Sequence, residues 1–515
     1  MEVYLPNLLV IAGVLILPWV WKVFNFVWWR PKRLERALKK QGIHGPPYKL
    51  LSGNIIENFR ATKEARTKPM SLSHQIVPRV APFHLQTVKN YGKTSVTWFG
   101  TTPRVNIMDP ELIREVLSNK FGHFAKQKPT AFGKQLVSGL VSHEGEKWAK
   151  HRRIINPAFH VEKLKRMLPA FSASCSELIS KWEQWVGSEE SRELDLSPEL
   201  QALTGDVISR TGFGSSYKEG RRIFQLLTEQ GELVMQAIQR AYIPCYRFFP
   251  TKDNLRRKEI DREIRAIMRS MIEKREKAMK TGEASNDDLL SLLMESNSKE
   301  SQDQGNSKSM SIEDVIEECR LFYLAGQETT YSLLTWTMIV LSMHPSWQER
   351  AREEVLQVFG KNKPDFDGLS HLKIVTMILH EVLRLYPPAI LLTRRTYKRM
   401  QLGGITLPAG VELTLPILLI HHDPKLWGED ADEFNPERFS RGVSKATNNQ
   451  VSFFPFGWGP RICIGQNFAL VESKLALAMI LQRFSFELSP SYVHAPYTVI
   501  TLRPQHGAQL ILHKL

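Results

Sequence analysis

The first thirty residues carry an apolar run longer than any buried strand needs. Residues 5–21, LPNLLVIAGVLILPWVW, are apolar almost throughout; Lys22 interrupts them, and VFNFVWW carries the run on to Trp29. About 20 apolar residues span a bilayer, and a lysine and several tryptophans suit its interface. Residues 1–30 are therefore expected to form a transmembrane signal-anchor helix. Residues 31–50, which end in GIHGPPYKL, read as a basic, Pro/Gly-rich hinge, and 51–515 as a globular domain.

Within that domain the pattern changes period. TSVTWFG and RVNIMD, around Val96 to Asp109, read as short strands, and from about Pro110 to Met294 the apolar spacing is mostly helical. SNSKESQDQGNSKSM, residues 296–310, is polar and of low complexity, as in a surface linker. A very long helical pattern follows, opened by a capping box of Ser311 with Asp314 and closed by Pro345 after His344. At 1.5 Å per residue such a helix is about 50 Å long, enough to cross a domain. Strand patterns return in ITLPAGVELTLPI, Ile405 to Ile417, and in AQLILHKL at the C-terminus. The expected fold class is mainly α with small β-sheets behind one N-terminal single-pass membrane anchor helix.

Charge adds orientation. Lys and Arg total 69 against 53 Asp and Glu, a net +16, which points to an anionic surface or an acidic partner. No zinc-finger spacing, RNA-binding aromatic motif or repeat supports nucleic acid as that partner. Eight basic residues within positions 1–50 all follow the first apolar run, so the positive-inside rule places the domain in the cytosol. The acidic start and the lack of an A-x-A site count against a cleaved signal peptide. Four widely spaced cysteines, Cys175, Cys245, Cys319 and Cys463, fit a reducing compartment.

Cys463 stands apart. It lies in FFPFGWGPRICIGQNFAL, among Gly457, Gly459 and Gly465, just before a run with helical spacing. Glycines let a flat partner approach the main chain, and a helix N-terminus favours a thiolate. A lone thiolate suits haem iron; zinc would need further ligands at short spacing. Four other motifs could be bland when taken singly. AGQETT, Ala325 to Thr330, offers a small-residue notch with an acid and a hydroxyl, in which Thr329 can bond back one turn. EVLR, with Glu381 and Arg384, is an i,i+3 ion pair. NPERF brings Arg438, and WAKHR places Trp148 and Arg152 on one helix face, where they could hold a carboxylate.

Together the five motifs resemble the cytochrome P-450 family of haem-thiolate monooxygenases. Phe456, Gly459, Arg461, Cys463 and Gly465 match F-x-x-G-x-R-x-C-x-G, a coincidence expected by chance about once in several thousand chains of this length. The other motifs follow that family's order. The resemblance implies haem b as cofactor, with Cys463 as the axial iron ligand and Phe456 shielding its sulfur. It gives Trp148, Arg152, Arg394 and Arg461 the haem propionates, although Arg395 adjoins Arg394. Glu381, Arg384 and Arg438 would form a structural triad. Ala325 and Gly326 would line an oxygen groove, while Glu328 and Thr329 deliver protons to it.

HHDPKLWGEDADEFNPERF, SFFPFGWGPRICIGQNFAL and RPQHGAQL are similar to plant members of the 72 clan, which oxidise terpenoids. The implied activity is hydroxylation or further oxidation of a hydrophobic terpenoid, a triterpenoid aglycone first, with a gibberellin, another hormone or an iridoid as alternatives. Electrons would come from NADPH through a reductase with an acidic docking face, with cytochrome b5 as a second donor, at the endoplasmic reticulum membrane. Lys147, Lys150, Arg152 and Arg153 would face the reductase. Family geometry suggests pocket walls at KPTAFGKQLVSGL, at Leu321 to Ala325, at AILLT and at YTVIT. Glu328 and Thr329 count against an oxygen-independent isomerase or dehydratase and against a non-catalytic haem or lipid carrier.

Overall fold

In the computed structural model the residues described are 16–118, 123–127, 129–281, 288–298, 310–447 and 452–515. The long apolar pattern forms the helix Ile312–Met343. Ser311 Oγ accepts the Asp314 N–H at 3.1 Å, and the Asp314 carboxylate accepts the Ser311 N–H at 3.3 Å, so the expected capping box is present. The helix ends at His344, where Pro345 opens the next one. It is buried around nearly its whole circumference, as a helix that is apolar on all sides must be. Leu196–Phe213, Lys373–Leu385 and Gln466–Leu481 pack along it, and Val161–Val186 lies behind Leu196–Phe213 and Gln466–Leu481.

The strands gather at one side. A five-stranded sheet runs in the order Ser95–Phe99, Thr102–Asn106, Glu412–Leu415, Leu392–Thr396, Phe124–Ala125, and only its second and third strands are parallel. The C-terminal strand Gln509–Lys514 lies between Ser191–Asp195 and Phe484–Leu488. Two hairpin sheets, Met400–Leu402 with Ile405–Leu407 and Pro496–Thr498 with Leu502–Pro504, complete a mainly helical fold with small sheets.

EVLR, an ordinary ion-pair motif in isolation, makes a fully buried ion pair. Arg384 and Glu381, both fully buried, form a bidentate pair at 2.7 and 2.8 Å. Arg384 also donates to the carbonyls of His421, Ala431 and Glu433, so its remaining N–H groups are met by backbone. Arg438 approaches Glu381 at 3.4 Å while bonding the carbonyls of Trp427 and Asp430. These bonds tie the Lys373–Leu385 helix to the 421–438 meander that precedes the cysteine loop.

At the N-terminus, residues 16–24 are helical, continue through the π-turn Asn25–Trp29 and enter the helix Arg30–Lys39. Ile16, Leu17, Trp19, Trp21, Trp28 and Trp29 are exposed. No helix among the described residues is long and apolar enough to cross a membrane, and the first half of the expected anchor lies outside them. The basic part of the expected hinge is this helix, seated through Pro31, Leu34 and Leu38. Most of the expected linker, from 299 to 309, falls outside the described residues.

Candidate haem-thiolate site

The cysteine loop folds back on itself. The Gly457 N–H donates to the Phe454 carbonyl at 2.9 Å, the Ile462 N–H to that of Gly459 at 3.0 Å, and the Cys463 N–H to that of Phe456 at 2.8 Å. Gly459 holds φ +71°, and a Cβ there would collide with the carbonyl oxygen of Leu117. Only glycine fits both the left-handed backbone and that close approach. The loop ends at Gly465, which precedes the helix Gln466–Leu481.

Cys463 opens into a cavity of about 350 Å³ between this loop and the long helix. Ala325, Gly326 and Thr329 of the long helix line it, as do Phe456 and Gly465 of the loop, and its walls are mainly apolar. Gly326 also has a packing reason, because a Cβ there would lie 2.7 Å from Ile208 of the neighbouring helix. Burial pushes the Cys463 thiol up, opposed by the Gly465 N–H and by Arg152. A cation bound over the sulfur would favour the thiolate.

Cations gather at one end of the cavity. The Arg461 guanidinium lies 4.1 Å over the Trp148 ring, pairs with Glu144 at 2.8 Å and donates to the His143 carbonyl at 2.8 Å. Arg152 donates to the Ile462 carbonyl at 2.9 Å, which locks the Gly145–Ile155 helix to the cysteine loop. Strand register separates the two adjacent arginines. Arg394 sits opposite Leu413 and is buried in the cavity wall, whereas Arg395 sits opposite Glu412 and lies outside it.

Lys126, which no sequence motif marked, joins this cluster from beside the short strand Phe124–Ala125. Burial, with Arg394 and Arg461 nearby, pushes its ammonium down to about 7. Arg394 is pushed down to about 10, chiefly by burial and then by Arg461. Among the described residues one carboxylate, Glu144, offsets these four cations. Such a surplus fits a flat ligand that carries two carboxylates at this edge. With the lone thiol below and apolar walls around, the donor set fits haem b.

Thr329 Oγ1 donates to the Ala325 carbonyl at 2.7 Å and faces the cavity. Glu328 does not join it there. One residue further along a helix is about 100° around it, and the Glu328 carboxylate is buried against Gln201 Nε2 at 3.2 Å and Thr501 Oγ1 at 3.1 Å. Burial pushes this carboxyl up, with Arg503, Thr501 and Gln201 opposing. Of the pocket walls expected from sequence, the Leu321–Ala325 and AILLT segments line the cavity, as does Leu140. YTVIT does not line it; its Thr501 holds Glu328 instead. Among the expected docking cations, Lys147 is engaged within the chain by Asp314 at 2.6 Å and Arg152 by the Ile462 carbonyl.

The comparisons with known proteins agree with this geometry. The cytochrome P450 family model matches residues 70–511. Over 494 residues, 95% of each chain, the protein is 67% identical to cytochrome P450 CYP72A616 of Paris polyphylla. It is 60% identical over 498 residues, 96% of each chain, to cytochrome P450 72A397 of Kalopanax septemlobus. Cytochrome P450 CYP72A219 of Panax ginseng is 56% identical over 506 residues, 98% of each chain. With a thiol, a cation cluster and an apolar slot converging on one cavity, and relatives matched end to end, the chain belongs to the cytochrome P-450 family, within its 72 clan.

Proposed function

We propose that this haem monooxygenase hydroxylates or further oxidises a hydrophobic plant terpenoid, with a triterpenoid aglycone as the favoured class. The observation that carries the reading is the character of the cavity. Leu140, Val141, Leu321, Phe322, Leu333 and Leu392 wall it, and the hydroxyl residues lining it are the neighbours Thr329 and Thr330, beside Ala325 and Gly326. Such walls reward the burial of a bulky apolar skeleton and offer few groups to a polar one.

Each residue then has a task. Haem, when bound, supplies dioxygen activation with electrons delivered from NADPH through a reductase. Cys463 would hold the iron, with Phe456 and Gly465 packed around the thiol. Trp148, Arg152, Arg394 and Arg461, joined by Lys126, would bind the propionates. Thr329 would hold and pass a proton at the Ala325–Gly326 notch. Glu328, kept protonated more readily by burial, would resupply it after leaving Thr501 and Gln201. Glu381, Arg384 and Arg438 brace the meander beneath.

The same reading places residues 1–30 as a single-pass anchor in the endoplasmic reticulum membrane, with 51–515 in the cytosol. The exposed Ile16, Leu17, Trp19 and Trp21, followed by Arg30, Lys32 and Arg33, support it. The partners would be NADPH–cytochrome reductase and cytochrome b5, drawn to a net charge of +16. The test is a microsomal assay of the full chain co-expressed with a plant reductase and given NADPH and triterpenoids, gibberellins and iridoids. One added oxygen on a triterpenoid, dependent on NADPH, is the expected product. Oxidation of only gibberellins or iridoids would overturn the preferred class, and product without NADPH would overturn the electron route.

A further inference from the structure

Beyond the motifs, the long helix carries a second buried carboxylate that faces the cavity wall. Glu318 is fully buried, three turns before Thr329. Its Oε1 accepts from His151 Nδ1 at 2.6 Å, and its Oε2 accepts the Leu140 N–H at 3.1 Å. Gly139, at φ +72°, lets the backbone come this close; a Cβ there would lie 2.8 Å from Oε2. The turn Gly139–Val141 is closed by the Ser142 N–H on the Gly139 carbonyl at 2.9 Å. Its next two residues, Leu140 and Val141, face the cavity.

Three elements therefore meet on one carboxylate: the long helix, the cavity-wall turn and the helix that carries Trp148 and Arg152. His143 stands edge-on to His151 at 4.6 Å, with its Nε2 4.0 Å from Glu318. At 2.6 Å the His151–Glu318 contact is a hydrogen bond, tighter than two ligands sharing a metal ion would sit. A carboxylate is acceptor-only and is stable when buried only while donors meet it. Among the described residues, the Leu140 N–H to Glu318 bond is the side-chain hydrogen bond that joins this turn to the long helix.

We propose that Glu318 is a positioning residue that sets the shape of the substrate cavity, by clamping the Leu140–Val141 wall to the long helix with His151 as its second donor. Glu318→Gln keeps the size but removes the charge: its amide N–H can meet His151 Nδ1 only if the ring moves its proton to Nε2, so a charge-assisted bond becomes a weaker neutral one. His151→Leu removes one donor. His151→Asn can keep a donor near the Nδ1 position.

This rests on the reading that the cavity takes a bulky apolar substrate, yet its test uses ligand binding rather than turnover, so the two can fail separately. The haem-loaded variants would be titrated spectroscopically with a bulky azole, clotrimazole, and with imidazole, which is too small to touch the wall. Glu318→Gln and His151→Leu should keep the thiolate-type carbon monoxide spectrum and the imidazole affinity. They should lose about tenfold in clotrimazole affinity, as expected for one lost buried hydrogen bond. His151→Asn should recover most of that loss. Equal weakening of both ligands, no change in either, no recovery by His151→Asn, or loss of the thiolate spectrum in both variants would overturn the proposal.

Discussion

Thr329 bonds its hydroxyl to the carbonyl of Ala325, one turn earlier, at 2.7 Å, and this takes place in the wall of the cavity into which Cys463 opens. The bond diverts a helix carbonyl and places a proton donor beside the smallest side chains of the long helix. In the proposed function this hydroxyl manages protons rather than binding substrate.

Thr329→Ala should therefore leave NADPH consumption largely intact while diverting most of it to hydrogen peroxide. Thr329→Ser, which can reform the bond to Ala325, should stay coupled. The check is the ratio of product and peroxide to NADPH consumed. Full coupling in Thr329→Ala would remove its assigned role.

The Glu381–Arg384 pair makes a second prediction, about stability. Arg384 meets one carboxylate and three carbonyls, and Arg438 stands 3.4 Å from Glu381. Arg384→Leu would strand a buried carboxylate at a cost of about 3–5 kcal/mol. That is a large share of the stability of an ordinary domain. Arg384→Lys should also fail, because a single ammonium cannot reach the same fork of acceptors. Haem incorporation and urea midpoint should fall in both variants.

Glu328 ties stability to pH. Burial raises its carboxyl in the folded protein, so the native state holds this proton more tightly than the unfolded chain does. The stabilisation is full below the unfolded pKa and is lost as pH rises through the folded one. Glu328→Gln does not titrate. Its apparent melting temperature relative to the parent should therefore rise as pH increases above the ordinary carboxylate range, while its turnover falls. A gap that stays constant with pH would contradict a raised carboxyl at this position.

What could be read from sequence is what depends on short spacing. The capping box at Ser311 and Asp314, the ion pair of Glu381 with Arg384, the turn-back of Thr329 and the Cys463 loop each lie within a few residues, where helix period and glycine freedom decide the outcome. What could not be read depends on register and on neighbours distant in the chain. Arg394 and Arg395 became distinct only once strand pairing set which of them faces inward. The orientation of Glu328 depends on Gln201 and Thr501, 127 and 173 residues away. Lys126 and Glu318 sit in ordinary polar sequence, and only the fold gives them partners. The stacking partner of Trp148 is Arg461, from the far end of the chain.

The most direct test of the whole account is the carbon monoxide difference spectrum of the reduced protein, taken on the parent chain and on Cys463→Ser. With Cys463 as the axial ligand, the parent gives the thiolate-type spectrum and Cys463→Ser loses it, even where haem is still bound through Arg152, Arg394 and Arg461. A thiolate-type spectrum that persists in Cys463→Ser would contradict the assignment and move the iron ligand elsewhere.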